Sequence, residues 1–489
     1  MSIKALAKDT AIYGASSIIG KFLNWLLVPL YTYTMKDTAE YGIVTNLYAQ
    51  VALLMVLLTY GMETTFFRFA NKEEYDAKKV YSTTMISIFS TTLLFVLTCF
   101  LFLGRIEQWL NYQNGGTIIS MMIVVLALDL LMSIPFCYLR YERRPFRFVT
   151  YKLIFIFLNI GLNLFLILLL PRWRGKVGWI DQLLSYPQWE VFCIVCSNLL
   201  ATSIQFLFLL PTLFSVPLHF DTKMLGKMLK YTFPLLILGL AGMLNQTIDK
   251  ILFPLLVSSQ DAFKLLGIYG ANVKIAVVIV MFIQAFRFAY EPYFFAQGKK
   301  KGEKDRKTLA DAMKYFILFG WLIYLSVIVF LDIIKYFEGP HYYEGLRVVP
   351  IVMLSEMLFG VYFNLSVWYK LTDQTKYGAY FSLFGVAITF LLNCLLVPHW
   401  GYWGCALATF SGYFLMTLVS LWLGRNQYPI PYEWKRIGIY SLLALSFSAI
   451  LMLIYGTEVW LRLCIGVLFL SIYLLCICKG EHILLKNRI

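Results

Sequence analysis

The sequence predicts an all-α polytopic membrane protein of about fourteen spanning helices. Three observations carry that prediction: the composition, the length of the apolar runs, and the placement of the basic residues. Of the 489 residues, 60% are hydrophobic and only 14% charged, whereas a soluble domain uses about 25% charged residues to cover its surface. The mean hydropathy of +0.71 agrees. The apolar residues gather into runs of about 20, the length that crosses a hydrocarbon core of roughly 30 Å.

The predicted spans are 10–34, 41–67, 80–103, 117–139, 149–170, 189–213, 231–256, 265–291, 309–335, 346–369, 377–398, 402–424, 437–455 and 459–478. Counted loop by loop, 27 Lys and Arg residues fall on one side of these spans and 6 on the other. That imbalance persists through strict alternation, and a missed or invented span would have scrambled it. It predicts cytoplasmic N and C termini. The formal charge of +15 is thus spread over short loops, with no separate basic domain, which argues against a nucleic-acid partner. Lys4 and Lys8 precede a run that continues to Tyr33 without a small-residue cleavage site, so no removable signal peptide is expected. The longest basic loop, 298–308, reads as a solvated linker touching anionic lipid. The loop 171–188, with Trp173, Trp179 and the adjoining Trp189, suits an interfacial belt.

Nothing in the chain has the spacing of an enzyme site. Nine cysteines lie mostly inside apolar runs; Cys193 and Cys196 form a C-x-x-C with no second pair, which fits packing better than metal or redox chemistry. His219, His341, His399 and His482 show no metal-ligand spacing. There is no phosphate-cradling G-x-x-x-x-G-K-[ST] loop, so ATP hydrolysis by that route is excluded. The reading is a non-enzymatic transporter with no metal or cofactor, coupling ions aside.

The charges inside the spans are therefore the informative ones. Each costs about 2.5–3.5 kcal/mol in the membrane centre, so it requires a partner or a water-filled cavity. The candidates are Lys21, Glu63, Asp129, Asp249, Lys250, Lys274, Arg287, Glu291 and Glu356. Lys152 and Lys314 lie close to span ends and are expected to snorkel to the headgroups. In the first span Thr10, Gly14, Ser17, Lys21, Asn24 and Tyr31 form a polar stripe. Such a stripe is either an interhelical seam or a cavity wall, and the lysine favours the wall.

In the seventh span Asn245 and Asp249 stand one turn apart, and Gln246 and Lys250 form a parallel pair. Asp249 and Lys250, being adjacent, are expected to find partners on other helices. In the eighth span Asn272, Gln284, Arg287 and Glu291 share one face, while Arg287 and Glu291 are also spaced to pair with each other. Asp129 and Glu356 have no basic residue within a turn, which makes them candidates for proton or sodium binding, or else inert protonated acids.

A repeat is visible at an offset of 225: Pro29-Leu30 precedes Gly42-Ile43 as Pro254-Leu255 precedes Gly267-Ile268. It sits where a duplication of six spans would place it. The implied division is residues 1–213 (spans 1–6), 214–424 (spans 7–12) and 425–489 (an additional helix pair and tail).

Two pairs of segments carry a family resemblance. "AKDTAIYGASSIIGKFLNWLLVPLYTYTM" followed by "EYGIVTNLYAQVALLMVLLTYGMETTFFRF" resembles the start of bacterial polysaccharide-biosynthesis flippases. "YTFPLLILGLAGMLNQTIDKILFPLL", then "LGIYGANVKIAVVIVMFIQAFRFAYEPYFF", is similar to the start of their second half. Those proteins belong to the multidrug/oligosaccharidyl-lipid/polysaccharide (MOP) exporter superfamily. The resemblance implies two pseudo-symmetric six-helix lobes around a central cavity, in a bacterial inner membrane. It implies translocation of undecaprenyl-diphosphate-linked oligosaccharide for surface polysaccharide by alternating access. Polysaccharide polymerase and chain-length machinery are the expected partners, beside membrane lipids. The motif match itself covers only the Asp249-Lys250 pair and the Glu291-Pro292 helix end.

By position, Lys21, Lys250, Lys274 and Arg287, with Asn24 beside them, are the candidates for neutralising a diphosphate. Glu63, Asp129, Asp249, Glu291 and Glu356 are candidates for cation coupling or ion pairs. A lipid II flippase and a cation-coupled multidrug exporter of the same superfamily are the rival readings. A drug exporter predicts an anionic or apolar cavity; a membrane glycan polymerase predicts a large Arg- and His-rich outward loop, and the largest one here is short.

Overall fold

The structure is a computed structural model, and it describes residues 18–112, 115–257, 261–297, 303–372 and 374–486. Among these, 13 helical segments are long and apolar enough to cross a membrane, and no strand occurs. The chain is a multi-pass membrane protein. Of the first predicted span, residues 18–25 are helical and continue, after a turn at Leu26, into α1 (Leu27–Thr34); Thr10, Gly14 and Ser17 of its stripe lie outside the described residues. The chain divides into two compact units, Met1–Pro254 with Gln260–Gly267, and Leu255–Ser259 with Ile268–Ile489.

The first unit contains α2 (Thr38–Thr59), α3 (Met62–Ala70), α4 (Ala77–Leu101), α5 (Gly116–Tyr141), α6 (Pro145–Leu164), α7 (Trp189–Leu213) and α8 (Thr222–Leu256, to Pro254). The second predicted span is thus two helices. Tyr60 (φ 36°) and Gly61 (φ 74°) both adopt the left-handed conformation, which ends α2 and restarts the chain as α3. Glycine takes that conformation freely and tyrosine does not. The Tyr60 hydroxyl and Ser87 Oγ hydrogen bond at 2.7 Å, and Thr65 Oγ1 donates to the Gly61 carbonyl at 3.1 Å. Irregular backbone at membrane depth is tolerated only where such groups are satisfied by protein or face water.

Prolines create similar openings. Pro254 has no N–H, so the Lys250 carbonyl lacks its partner within α8. Asn46 of α2 supplies one, its Nδ2 lying 2.7 Å from Lys250 O, while Tyr112 and Gln50 each donate to Asn46 Oδ1 at 2.6 Å. The two glycines of the sequence repeat meet in this unit. A Cβ on Gly42 would overlap the Phe263 carbonyl, and one on Gly267 would overlap that of Thr38. Thr38 and Phe263 are separated by the same 225 residues as the glycines. The crossing is therefore symmetric, backbone against backbone, and only glycine permits it.

The second unit is built from α9 (Ala262–Gln297, from Ile268), α10 (Glu303–Val329), α11 (Val349–Leu365), α12 (Lys376–Trp400), α13 (Tyr402–Gln427), α14 (Trp434–Leu453) and α15 (Val459–Lys486). The ninth span ends at Val329 rather than 335, because the chain turns through short helices at Leu331–Ile334 and Lys335–Phe337. Asn272 of α9 is fully buried and donates to Tyr342 O and Ile268 O at 2.9 Å. It holds the Pro340–Val348 turn rather than facing an opening.

Lys314 does not snorkel as the sequence suggests. It is 1% exposed on α10 and ion-pairs with Glu433 (3.4 Å) and Glu481 (3.1 Å) at the ends of α14 and α15. Further along α10, Trp321 Nε1 donates to Ser441 (2.8 Å) and the Tyr324 hydroxyl meets Ser448 (2.9 Å). Beyond the other end Arg462 of α15, 1% exposed, pairs with Asp332 and donates to Ile328 O at 3.1 Å. This polar ladder fastens the last two helices to α10 along its length.

Candidate functional site

Four ionisable side chains of the first unit converge on one cavity of about 410 Å3: Glu63, Asp129, Arg140 and Lys152. The helical repeat explains the convergence. Asp129, Ser133, Phe136 and Arg140 fall on one face of α5, and Phe148, Lys152 and Phe155 on one face of α6. The break at Tyr60-Gly61 puts Glu63 in the first turn of α3, at the same cavity. Pro135 lies in α5 between Asp129 and Arg140, where its ring frees the Leu131 carbonyl and allows the helix to bend.

Within the cavity, Arg140 Nη2 stands 3.7 Å from Glu63 Oε2 and donates to Cys137 Sγ at 3.2 Å. The Arg140 guanidinium also lies 5.1 Å from the Phe67 ring centroid. Lys152 Nζ sits 4.2 Å from the Phe136 centroid, a cation–π contact that turns it inward instead of toward the headgroups. Lys152 and Asp129 line the same cavity. The sequence reading of Asp129 as an isolated carboxylate and of Lys152 as a snorkelling residue is corrected on both counts. Lys152 lies on the next helix, 23 residues away in sequence, so no within-helix spacing reports that the two share a cavity.

The other sequence candidates are placed as follows. Lys21 and Asn24 are exposed on the helical segment 18–25. Tyr31, on the same stripe, donates to Asn163 Oδ1 of α6 at 3.0 Å, so the stripe is an interhelical seam at that end. Asp249 and Lys250 pair with each other, contrary to expectation: Lys250 Nζ is 2.9 Å from Asp249 Oδ2 and also donates to Gln246 O at 3.1 Å. The four-carbon lysine stem curls far enough along the helix to reach its neighbour. In the second unit Lys274 and Glu356 are half-buried. The Glu291 side chain lies outside the described residues.

Arg287 has a neighbour that the sequence does not suggest. Its guanidinium lies 4.1 Å from the Phe363 ring centroid, and Lys370 Nζ lies 4.5 Å from the same centroid. Two cations from α9 and from the turn after α11 thus share one aromatic ring. Lys370 stands in a basic loop by sequence, and Arg140 likewise. Arg462, Asp332, Glu433 and Glu481 are also absent from the sequence candidates; Arg462 lies inside a predicted span, which is the signal that would have found it.

The family model described as "Polysaccharide biosynthesis protein" matches residues 6–297. The chain belongs to the polysaccharide biosynthesis protein family. No curated protein matches it. Among solved structures, this family member is similar to the lipid II flippase MurJ in an inward closed conformation, with a TM-score of 0.73 and 14% identity over 96% of this chain and 98% of that one. It is also similar to a multidrug resistance MATE family transporter of the MOP superfamily in an inward-facing conformation, with a TM-score of 0.61 and 14% identity over 90% and 96% of the two chains. A Vibrio cholerae MATE transporter, VcmN, matches with a TM-score of 0.56 and 12% identity over 86% and 97%. The family member therefore has the fold of MOP-superfamily transporters.

Proposed function

We propose that the chain is a flippase that moves an undecaprenyl-diphosphate-linked oligosaccharide from the cytoplasmic to the periplasmic leaflet by alternating access. The observation that carries this reading is the pair of cations, Arg287 and Lys370, at the Phe363 ring. A diphosphate is a compact anion that asks for more than one charge-assisted donor, and arginine meets phosphate bidentately. Membership of the polysaccharide biosynthesis family supports the class of cargo. The excess of Lys and Arg in alternate loops supports cytoplasmic termini.

The test is export in a polysaccharide-complementation assay, together with translocation of a lipid-linked oligosaccharide in reconstituted vesicles. Each lost charge-assisted contact is worth about 1.5–3 kcal/mol, so Arg287→Gln and Lys370→Gln should each cut transport roughly tenfold or more at normal protein levels. Lys21→Ala is expected to reduce export in the same assay. Full transport by the Arg287→Gln/Lys370→Gln double variant would overturn the assignment. Transport of lipid II in preference to lipid-linked oligosaccharide would overturn the cargo and keep the class.

One observation favours a second reading. Glu63 and Asp129 at the first unit's cavity are the side chains a cation-coupled exporter uses to carry H+ or Na+. The membrane potential alone offers about 2.3 kcal/mol per charge per 100 mV, so flipping does not require that coupling.

A further inference from the structure

A second cavity, of about 730 Å3, lies in the second unit where three spans end. Trp368 follows α11, Trp422 and Arg425 occupy the last turns of α13, and Trp434 opens α14. The linker between α13 and α14, Tyr428-Pro429-Ile430-Pro431-Tyr432, forms one wall. Its two prolines fix φ on either side of Ile430, so the wall is preorganised rather than collapsible. The volume is in the range of binding pockets for whole ligands, about 300–1,000 Å3.

The lining says what kind of ligand fits. Leu365, Leu418, Leu421 and Ile430 make the interior apolar, and the described lining includes no Asp or Glu. Its one charge is Arg425, which is exposed and forms no ion pair among the described residues. The nearest acid in sequence, Glu433, is already engaged by Lys314 and Arg436. A second cation stands at the linker, with the Arg306 guanidinium 4.8 Å from the Tyr428 ring centroid. Trp422 and Trp434 are 68% and 46% exposed, and they flank the mouth at the ends of membrane spans, the depth at which tryptophan meets headgroups.

We propose that this cavity is a binding site for an anionic glycerophospholipid, with an acyl chain in the apolar interior and the phosphate on Arg425. Charge complementarity selects the headgroup: an arginine at a lipid-facing mouth, without a nearby free carboxylate among the described residues, meets a phosphodiester bidentately. The apolar depth selects a chain-bearing ligand over a free phosphate. Arg287, Phe363 and Lys370 are not among its lining residues, and the proposal does not depend on what the protein transports.

The test uses the full-length protein in detergent with a phosphatidylglycerol carrying a photoactivatable acyl chain, located by peptide mass spectrometry. Labelling is expected within residues 418–434 and should be competed by unlabelled phosphatidylglycerol. Arg425→Gln should weaken apparent affinity roughly tenfold, the size of one lost charge-assisted contact, and Arg425→Lys, which keeps the charge but not the bidentate fork, should restore only part of it. Lys435→Gln, an exposed neighbour outside the lining, should change nothing. Trp422→Ala, checked for an unchanged gel-filtration profile, should weaken labelling through the apolar half alone. Equal competition by phosphatidylcholine, labelling elsewhere, or an unaffected Arg425→Gln protein would overturn the proposal. Tighter competition by undecaprenyl phosphate would overturn it in favour of an isoprenoid site.

Discussion

The two units treat charge in the membrane in opposite ways. In the first, Glu63, Asp129, Arg140 and Lys152 face an open cavity, and the Arg140–Glu63 contact is loose at 3.7 Å. In the second, Lys314 and Arg462 are sealed at 1% exposure between α10, α14 and α15, each against a carboxylate. Both arrangements face the same desolvation cost, and they meet it differently. The sealed charges are neutralised by fixed partners and hold helices together. The open ones keep part of their solvation, and so retain the freedom to exchange partners, as transport requires. A charge inside a span thus reads as function or as fastening according to what surrounds it.

The largest effect expected from this contrast is on the sealed side. Arg462→Ala removes the sealed partner of Asp332 and leaves it only the longer contact to Lys335 at 3.7 Å, which should destabilise the protein by about 3 kcal/mol and lower its Tm in detergent. Arg462→Leu combined with Asp332→Leu should recover much of that loss. An unchanged Tm for the single variant would show that the ladder is not structural.

Glu338 gives an intermediate case, a sealed carboxyl without a hydrogen-bond partner among the described residues. It is fully buried in the turn between α10 and α11, and neither carboxylate oxygen has a hydrogen-bond partner among the described residues. Burial pushes its pKa up to about 8 from the ordinary 4.5. The folded protein therefore holds a proton that the unfolded chain releases, and stability falls as pH rises through that window. Glu338→Gln should flatten this slope and stabilise the protein above pH 8 by on the order of 5 kcal/mol. A Tm-versus-pH series on the two proteins measures it; identical slopes would exclude Glu338 as the titrating group.

The smallest effect on stability is expected at the open cavity, where the readout is transport. Asp129→Asn and Lys152→Gln should each shift stability by less than about 1 kcal/mol, as for half-buried charges at a cavity rather than sealed ion pairs. Each should also change the dependence of transport on the cation gradient in vesicles. A large Tm loss with normal coupling would move this cavity into the fastening class and erase the contrast between the units.

Much of the architecture is legible in the amino-acid sequence alone. Run length and composition determine a helical membrane protein, because lipid leaves the backbone no alternative to internal hydrogen bonding. The repeat at Gly42 and Gly267 marks a crossing where two helices touch backbone to backbone. What the sequence does not assign is partnership. Lys152 and Lys314 both sit near span ends, and only the tertiary packing shows one turned onto Phe136 and the other locked between Glu433 and Glu481. Helical periodicity reports which residues share a face of one helix. Which face of which neighbour they meet is set by the crossing of helices distant in sequence, and that is decided only in three dimensions.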